Sequence, residues 1–275
     1  MELLQYDFFR NALAGIMLIA VSSAVIGTYV VARRLVAISG GITHACFGGL
    51  GLGYFLGISP VITAIIFAVG SALGVEWMAR TRNVREDSAI AAVWGAGMAL
   101  GVLFVFLTPG YVPELNSFLF GNILTVTGTD IMIYSVYTVI LLGLLSLAFR
   151  PIVAVAFDRD FATVRGLPVM LISTVMTVMT AVCIVLTIRM VGIMLLMSML
   201  SLPQIMAEIY CRRFITIMSL SAVISVVCCV AGLLLATVID VPCSALIVLV
   251  MIAVLIVLKT AEAVKERING REQPE

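Results

Sequence analysis

Histidine occurs once in this sequence, at His44, and lysine twice, at Lys259 and Lys265, both near the C-terminus. Each scarcity removes a class of function. One imidazole cannot build a histidine-based metal cage, and no H-E-x-x-H, G-x-S-x-G or C-x-x-C pattern accompanies it. A P-loop needs a lysine directly after its glycines to reach nucleotide phosphates, so any ATP hydrolysis linked to this protein must be done by another chain. Charged residues make up only 11% of the sequence, and no basic block suited to nucleic acid is present. Six cysteines (Cys46, Cys183, Cys211, Cys228, Cys229, Cys243) are scattered through apolar stretches without metal-ligand spacing, and read as small buried hydrophobes. The opening MELLQYDFFR carries acids and no basic region, so the first apolar run is read as mature structure rather than a signal peptide.

Apolar residues dominate what is present. They account for 63% of the 275 residues, with a mean hydropathy of +1.22, which defines an integral membrane protein. Apolar segments lie at about 8–32, 36–57, 60–79, 88–108, 130–149, 168–188, 190–210, 214–238 and 243–258. The expected fold is therefore an all-α polytopic bundle of nominally nine transmembrane helices; eight stays open because the last segment is short. One membrane domain is expected over 1–258, with a tail at 259–275. Basic residues collect on alternate connections: Arg33 and Arg34; Arg80, Arg82 and Arg85; Arg150, Arg159 and Arg165; Arg212 and Arg213; and the tail with Lys259, Lys265, Arg267 and Arg271. The positive-inside rule assigns these to the cytoplasm and the N-terminus to the outside.

Two connections exceed a plain turn. The outer one, 108–129, contains two prolines and the stretch LNSFLFGNILTV, too short to cross, and predicts a re-entrant or interfacial half-helix. The inner one, 150–168, carries Asp158, Arg159, Asp160 and Arg165 and places Gly166 as a helix terminator. It predicts a short amphipathic helix on the cytoplasmic face, either a docking element for a soluble partner or a loop shielding the bundle.

The stretch RRLVAISGGITHACFGGLGLGYFLG, 33–57, is the one an inert apolar anchor does not explain. Ala37, Gly41, Ala45, Gly49, Gly53 and Gly57 recur every fourth residue and form one smooth stripe on a helix, suited to close approach of another backbone. Gly40, His44 and Gly48 make the neighbouring row, so the imidazole projects at mid-membrane depth from a surface cleared of bulk. Intramembrane polar groups mark a path for a polar solute by default. His44 is the first candidate, against a helix-to-helix hydrogen bond. Glu76 and Glu208, near inner ends, are weaker ones, because Arg80 and Arg212 lie within about a turn and pairing with them explains both. Met190, Met194 and Met197 share one helix face and could offer soft thioether ligands, although packing is the simpler reading. An intramembrane hydrolase would have to pair His44 with a serine on another helix.

These residues resemble the membrane-spanning subunit, or permease, of the ABC importers for zinc, manganese and iron. The 33–57 stretch is similar to that family's second-helix signature, DSAIAAVWGAGMALGVLF to its acid-led fourth helix, LNSFLFGNILTV to its outer segment, AFDRDFATVRGLP to its cytoplasmic coupling segment, and VGIMLLMSMLSLPQIMAE to the helix that follows. The resemblance implies a type II importer-like homodimeric permease in the cytoplasmic membrane of a bacterium or archaeon. It implies a soluble ATPase docked on the coupling segment of each subunit, an extracytoplasmic metal-binding protein delivering the ion, and no permanently bound cofactor beside the transported divalent metal. A vitamin B12 or siderophore permease is the nearest alternative, with a longer chain of ten spans. Many members of the family carry an aspartate four residues before the histidine; here that position is Gly40, and an imidazole alone makes a weaker, less defined metal site.

Overall fold

A computed structural model of the chain describes residues 6–81, 85–109, 121 and 123–270. Among these there is no strand. The helices are α1 (Asp7–Ala32), α2 (Val36–Leu56), α3 (Pro60–Thr81), α4 (Glu86–Leu107), α5 (Gly128–Phe157), α6 (Arg159–Val164), α7 (Val169–Met199), α8 (Leu202–Tyr210), α9 (Phe214–Ile239) and α10 (Cys243–Gly270), with a single 3-10 turn at Ile123–Thr125. Between water and lipid, helices are the solution for these apolar runs because each satisfies its own backbone hydrogen bonds. Eight stretches are long and apolar enough to cross a membrane.

The longest of those stretches, Val169–Tyr210, is 42 residues. As one rod it would measure about 63 Å at 1.5 Å per residue, roughly twice the hydrocarbon thickness of about 30 Å. It is not one rod. Gly192 stands at φ 81°, ψ 172°, outside the helical region and open only to glycine, and the chain reverses there. Partners on either side establish the reversal. Arg189 meets Asp130, Thr187 bonds Tyr134, and the Met179 carbonyl accepts from Tyr137, so the chain up to 190 runs antiparallel to α5. At the reversal Met190 packs at Gly15 of α1, and beyond it Leu200 and Gln204 pack at Gly27, so the chain now follows the direction of α1. Among the described residues the chain therefore makes nine passes, the eighth in two pieces, 193–199 and α8. The Ser244 hydroxyl donates to the Val191 carbonyl at 3.1 Å, and Gly121, itself at φ 57°, presses its backbone against Val191 and Gly192.

The break in the eighth pass is dictated by Pro203. A proline cannot donate to the carbonyl four residues earlier, which leaves the Met199 carbonyl without its helical partner in the middle of the bundle. The Gln204 Nε2 donates to that carbonyl at 3.3 Å and to the Ser23 carbonyl of α1 at 3.0 Å. Gly27 is what lets it in, since a Cβ there would strike the Gln204 amide and lie 2.8 Å from the Leu200 carbonyl. Pro151 acts similarly in α5, which bends at Ala148 (φ −119°, ψ 25°) and continues past its expected end near 149 to Phe157.

The arginine-bearing connections gather at one end of the bundle. Arg33 donates to the Val155 carbonyl at 3.1 Å, Arg159 pairs with Glu76, and Phe157 lies edge-on to Phe214. The last helix also outruns its expected limit at 258, reaching Gly270, so the tail begins as helix. At the opposite end, residues 110–120 and 122, which hold most of the expected half-helix, lie outside the described residues, as do Arg82 and Arg271 and the side chains of Arg80 and Arg267. What is described there is the turn at Ile123–Thr125, with Ile123 fully buried beneath α1.

Candidate functional site

The small residues of α2 are consumed by two neighbours rather than one. Toward its start and middle, α4 lies against it: a Cβ on Gly41 would come 2.6 Å from Ile90 Cγ2, one on Gly48 2.8 Å from the Gly97 carbonyl, and one on Gly51 2.6 Å from the Gly101 carbonyl. Toward its end α3 takes over, with Gly49 against Ala64 (2.7 Å to Cα) and Gly53 against Pro60 (2.7 Å to Cα). Without a hydrophobic driving force between helices in lipid, such close backbone approach is what holds the three together. Gly57 does not belong to this set. It is left-handed at φ 67°, has no heavy atom within 4 Å of a Cβ built on it, and ends α2 by closing Ile58 N–H onto the Gly53 carbonyl.

Because α4 approaches so closely, the row holding His44 is not open. The imidazole lies flat on the indole of Trp94, with ring centroids 4.3 Å apart and planes 5° from parallel. Its Nδ1 is buried without a hydrogen-bond partner among the described residues, from a serine or any other group. The serine pairing that an intramembrane hydrolase needs is thus not formed there. On the other side of the row the eighth pass comes down: Thr43 Oγ1 lies 3.7 Å from Met197 Sδ, and a Cβ on Gly40 would sit 3.3 Å from Met197 Cε. Trp94 of α4 thus lies on His44 itself, while the thioether of the broken pass lies at Thr43 and Gly40, one residue and one turn away. Among the described residues no three His, Cys, Asp or Glu side chains converge on a metal-sized point.

The glutamates expected beside the path stand elsewhere. Glu76 Oε1 pairs with Arg159 Nη2 at 3.8 Å at the basic end, and Glu208 is exposed on the same end. Neither joins His44. Arg159 also donates to Ser173 Oγ at 3.2 Å, so it ties the coupling segment to α3 and α7 instead of facing outward. Asp158 is the N-cap of α6, its carboxylate accepting from Phe161 N–H at 2.9 Å, and Gly166 (φ 73°) ends the helix with Leu167 N–H bonded to the Ala162 carbonyl. The outward face of this six-residue helix is formed by Asp160, Phe161, Val164 (88% exposed) and Arg165, whose guanidinium lies 4.9 Å over the Phe161 ring.

Two features of the site escape reading along the chain. Trp94 is one of two tryptophans in an apolar helix, with no local signal that it stacks on a residue fifty positions away. Met197 sits on a methionine face that packing explains, and its neighbour Met190 does pack, buried against Gly15. Pro203 was the available signal for the break.

A bundle that makes nine passes among the described residues, the eighth of them broken, with one imidazole on a neighbouring helix and an exposed helix at the basic end, belongs to the class of polytopic transport proteins. Comparison with known proteins narrows it: the chain belongs to the ABC 3 transport family, which it matches over residues 5–261. It is 35% identical to a probable metal transport system membrane protein of Chlamydia pneumoniae over 84% of this chain and 81% of that one. It is 30% identical to the manganese transport system membrane protein MntC of Halalkalibacterium halodurans, covering 90% and 85%. Among solved structures it is similar to a chain of PsaBC from Streptococcus pneumoniae in complex with Fab, with a TM-score of 0.83, 25% identity and coverage of 93% and 92%.

Proposed function

We propose that this chain is the permease subunit of an ABC importer that carries a divalent transition metal ion, of the zinc, manganese and iron group, across the bacterial cytoplasmic membrane. Two relatives bear the names of metal transport membrane proteins, and both are covered over most of their length. The observation that carries the reading is the placement of His44. A neutral imidazole is a good metal ligand, and this one is held flat by Trp94 at mid-depth beside a discontinuous pass, with an unspent ring nitrogen. Two copies of the chain would bring two such histidines to the ion's path.

The sequence contains no P-loop, so the energy must come from a separate ATPase. Phe161, Val164 and Asp160 on α6 offer that partner a small apolar knob with a charged rim, and Arg159 and Glu76 relay its movement to α3. An extracytoplasmic binding protein would hand over the ion at the opposite end. The experiment is ATP-dependent metal uptake by the permease with its partner ATPase in proteoliposomes. His44→Ala is expected to lower uptake at least tenfold while the ATPase still co-purifies; unchanged uptake would remove His44 from the path.

A further inference from the structure

Two thioethers of the eighth pass and the imidazole of α2 carry donor atoms near the middle of the bundle. Met194 is 43% exposed, Met197 is half-buried with its sulfur at Thr43, and the Nδ1 of His44 has no partner. Met190 lies on the other side of the break at Gly192 and is set apart from them by burial against Gly15. The 193–199 segment runs toward the basic end whereas α2 runs away from it. Stepping back from Met197 to Met194, nearly one turn, therefore parallels the step from Gly40 to His44, and Met194 comes to the depth of the imidazole. Among the described residues the acids of the neighbouring helices stand away from this level. Residues 36–56 contain no acid, Glu76 and Glu208 stand at the basic end, and Asp87 in the first turn of α4 is seven residues from Trp94, about 10 Å along the helix.

Thioether sulfur and imidazole nitrogen favour zinc and copper(I), whereas carboxylate and carbonyl oxygens favour manganese. We propose that Met194 and Met197 form, with His44, a sulfur and nitrogen face that selects the transported cation, admitting Zn2+ or Cu+ in preference to Mn2+. This rests on the metal-importer reading above and names the class of its cargo, with Cu+ the one candidate outside the divalent set of that reading. Gly40 contributes by omission: the space one turn from His44, where a side-chain oxygen could be offered, holds the Met197 methyl group instead. The stacking on Trp94 keeps the imidazole from rotating away from the sulfurs.

The test is competitive ATP-dependent uptake by the reconstituted permease–ATPase complex, with Zn2+, Mn2+, and Cu+ held reduced by ascorbate, each at equal free concentration. The wild-type complex is expected to take up Zn2+ or Cu+ at least tenfold faster than Mn2+, and the separate metals show which of the two it is. Met194→Leu with Met197→Leu, which keeps volume and removes both sulfurs, is expected to reduce that ratio about tenfold with ATPase co-purification unchanged. Gly40→Asp, whose Cβ meets only the flexible end of Met197, is expected to move the ratio toward Mn2+. Wild-type preference for Mn2+, or an unchanged ratio in the double variant, overturns the selectivity and leaves the importer reading intact. If no metal moves with ATP, the importer reading falls and takes the selectivity with it. Should the double variant not assemble, the wild-type ratio and Gly40→Asp decide the matter.

Discussion

The indole of Trp94 covers one face of the His44 imidazole at a centroid separation of 4.3 Å, joining α4 to the only histidine in the chain. Offset or parallel ring stacking contributes about 0.5–1.5 kcal/mol beyond area burial, enough to fix one rotamer of the imidazole. Trp94 should also report on its neighbour, because the only other tryptophan is Trp77. In a Trp77→Phe background, a metal ion reaching His44 is expected to change Trp94 emission, and His44→Gln should abolish the response. Trp94→Leu is expected to weaken metal uptake several-fold through a higher half-saturating concentration, measured in the same proteoliposomes.

Gln204 repairs the damage done by Pro203. Removing its amide would leave the Met199 carbonyl without its donor, at a cost of about 1–3 kcal/mol for a buried unsatisfied group. Gln204→Leu should therefore lower the thermal unfolding midpoint of the detergent-solubilised protein. Gly27→Ala should lower it further, because it forces the Gln204 side chain out and also approaches the Leu200 carbonyl. A midpoint equal to wild type in Gly27→Ala would show that the eighth pass does not depend on this contact.

At the basic end, the link between Glu76 and Arg159 is partly exposed, so its own worth is small, about 0.2–1 kcal/mol. It is nevertheless a side-chain tie from the 150–168 connection to α3, and under the proposed function it is placed to pass on movement of the ATPase. Arg159→Glu puts two acids together and is expected to uncouple ATP hydrolysis from uptake, raising the ATP consumed per ion. The exchange Glu76→Arg with Arg159→Glu should recover part of the coupling. By contrast, Phe161→Ser with Val164→Ser is expected to weaken ATPase association itself, read by co-purification.

Asp130 serves two partners at the opposite end. Its Oδ2 closes the capping box with Thr127, while Oδ1 stands 2.8 Å from Arg189 Nε with the carboxylate side chain only 10% exposed. Losing the acid would remove the partner of Arg189, whose side chain is 46% exposed to solvent next to the reversal at Gly192. Asp130→Asn, which retains an acceptor for the cap, is therefore expected to cost only about 0.2–1 kcal/mol, and Asp130→Ala more because it removes the cap as well. Thermal unfolding of the two variants against Arg189→Ala separates the cap from the ion pair.

Much of this protein follows from its sequence alone. Apolar run lengths and the alternation of arginines gave the helical bundle, the nine passes and the end at which basic residues gather, because lipid leaves the backbone little choice but helix and charge is costly to move across it. The glycine spacing marked α2 as a close-packing helix, and Gly166 marked the end of α6. Which neighbour uses each small residue is a different kind of fact. Gly49 and Gly53 serve α3, Gly41 and Gly48 serve α4, and Gly57 serves none, since spacing on one helix does not contain the position of another. The same holds for charge and polarity. Glu76 has an arginine four residues away in sequence, yet the Arg159 side chain reaches it from a segment more than eighty residues later. Trp94 comes to His44, and Met197 to Thr43, only because α4 and the broken eighth pass are brought beside α2, and contacts between distant segments arise from the packing of whole helices, a property the order of residues along any one of them does not carry.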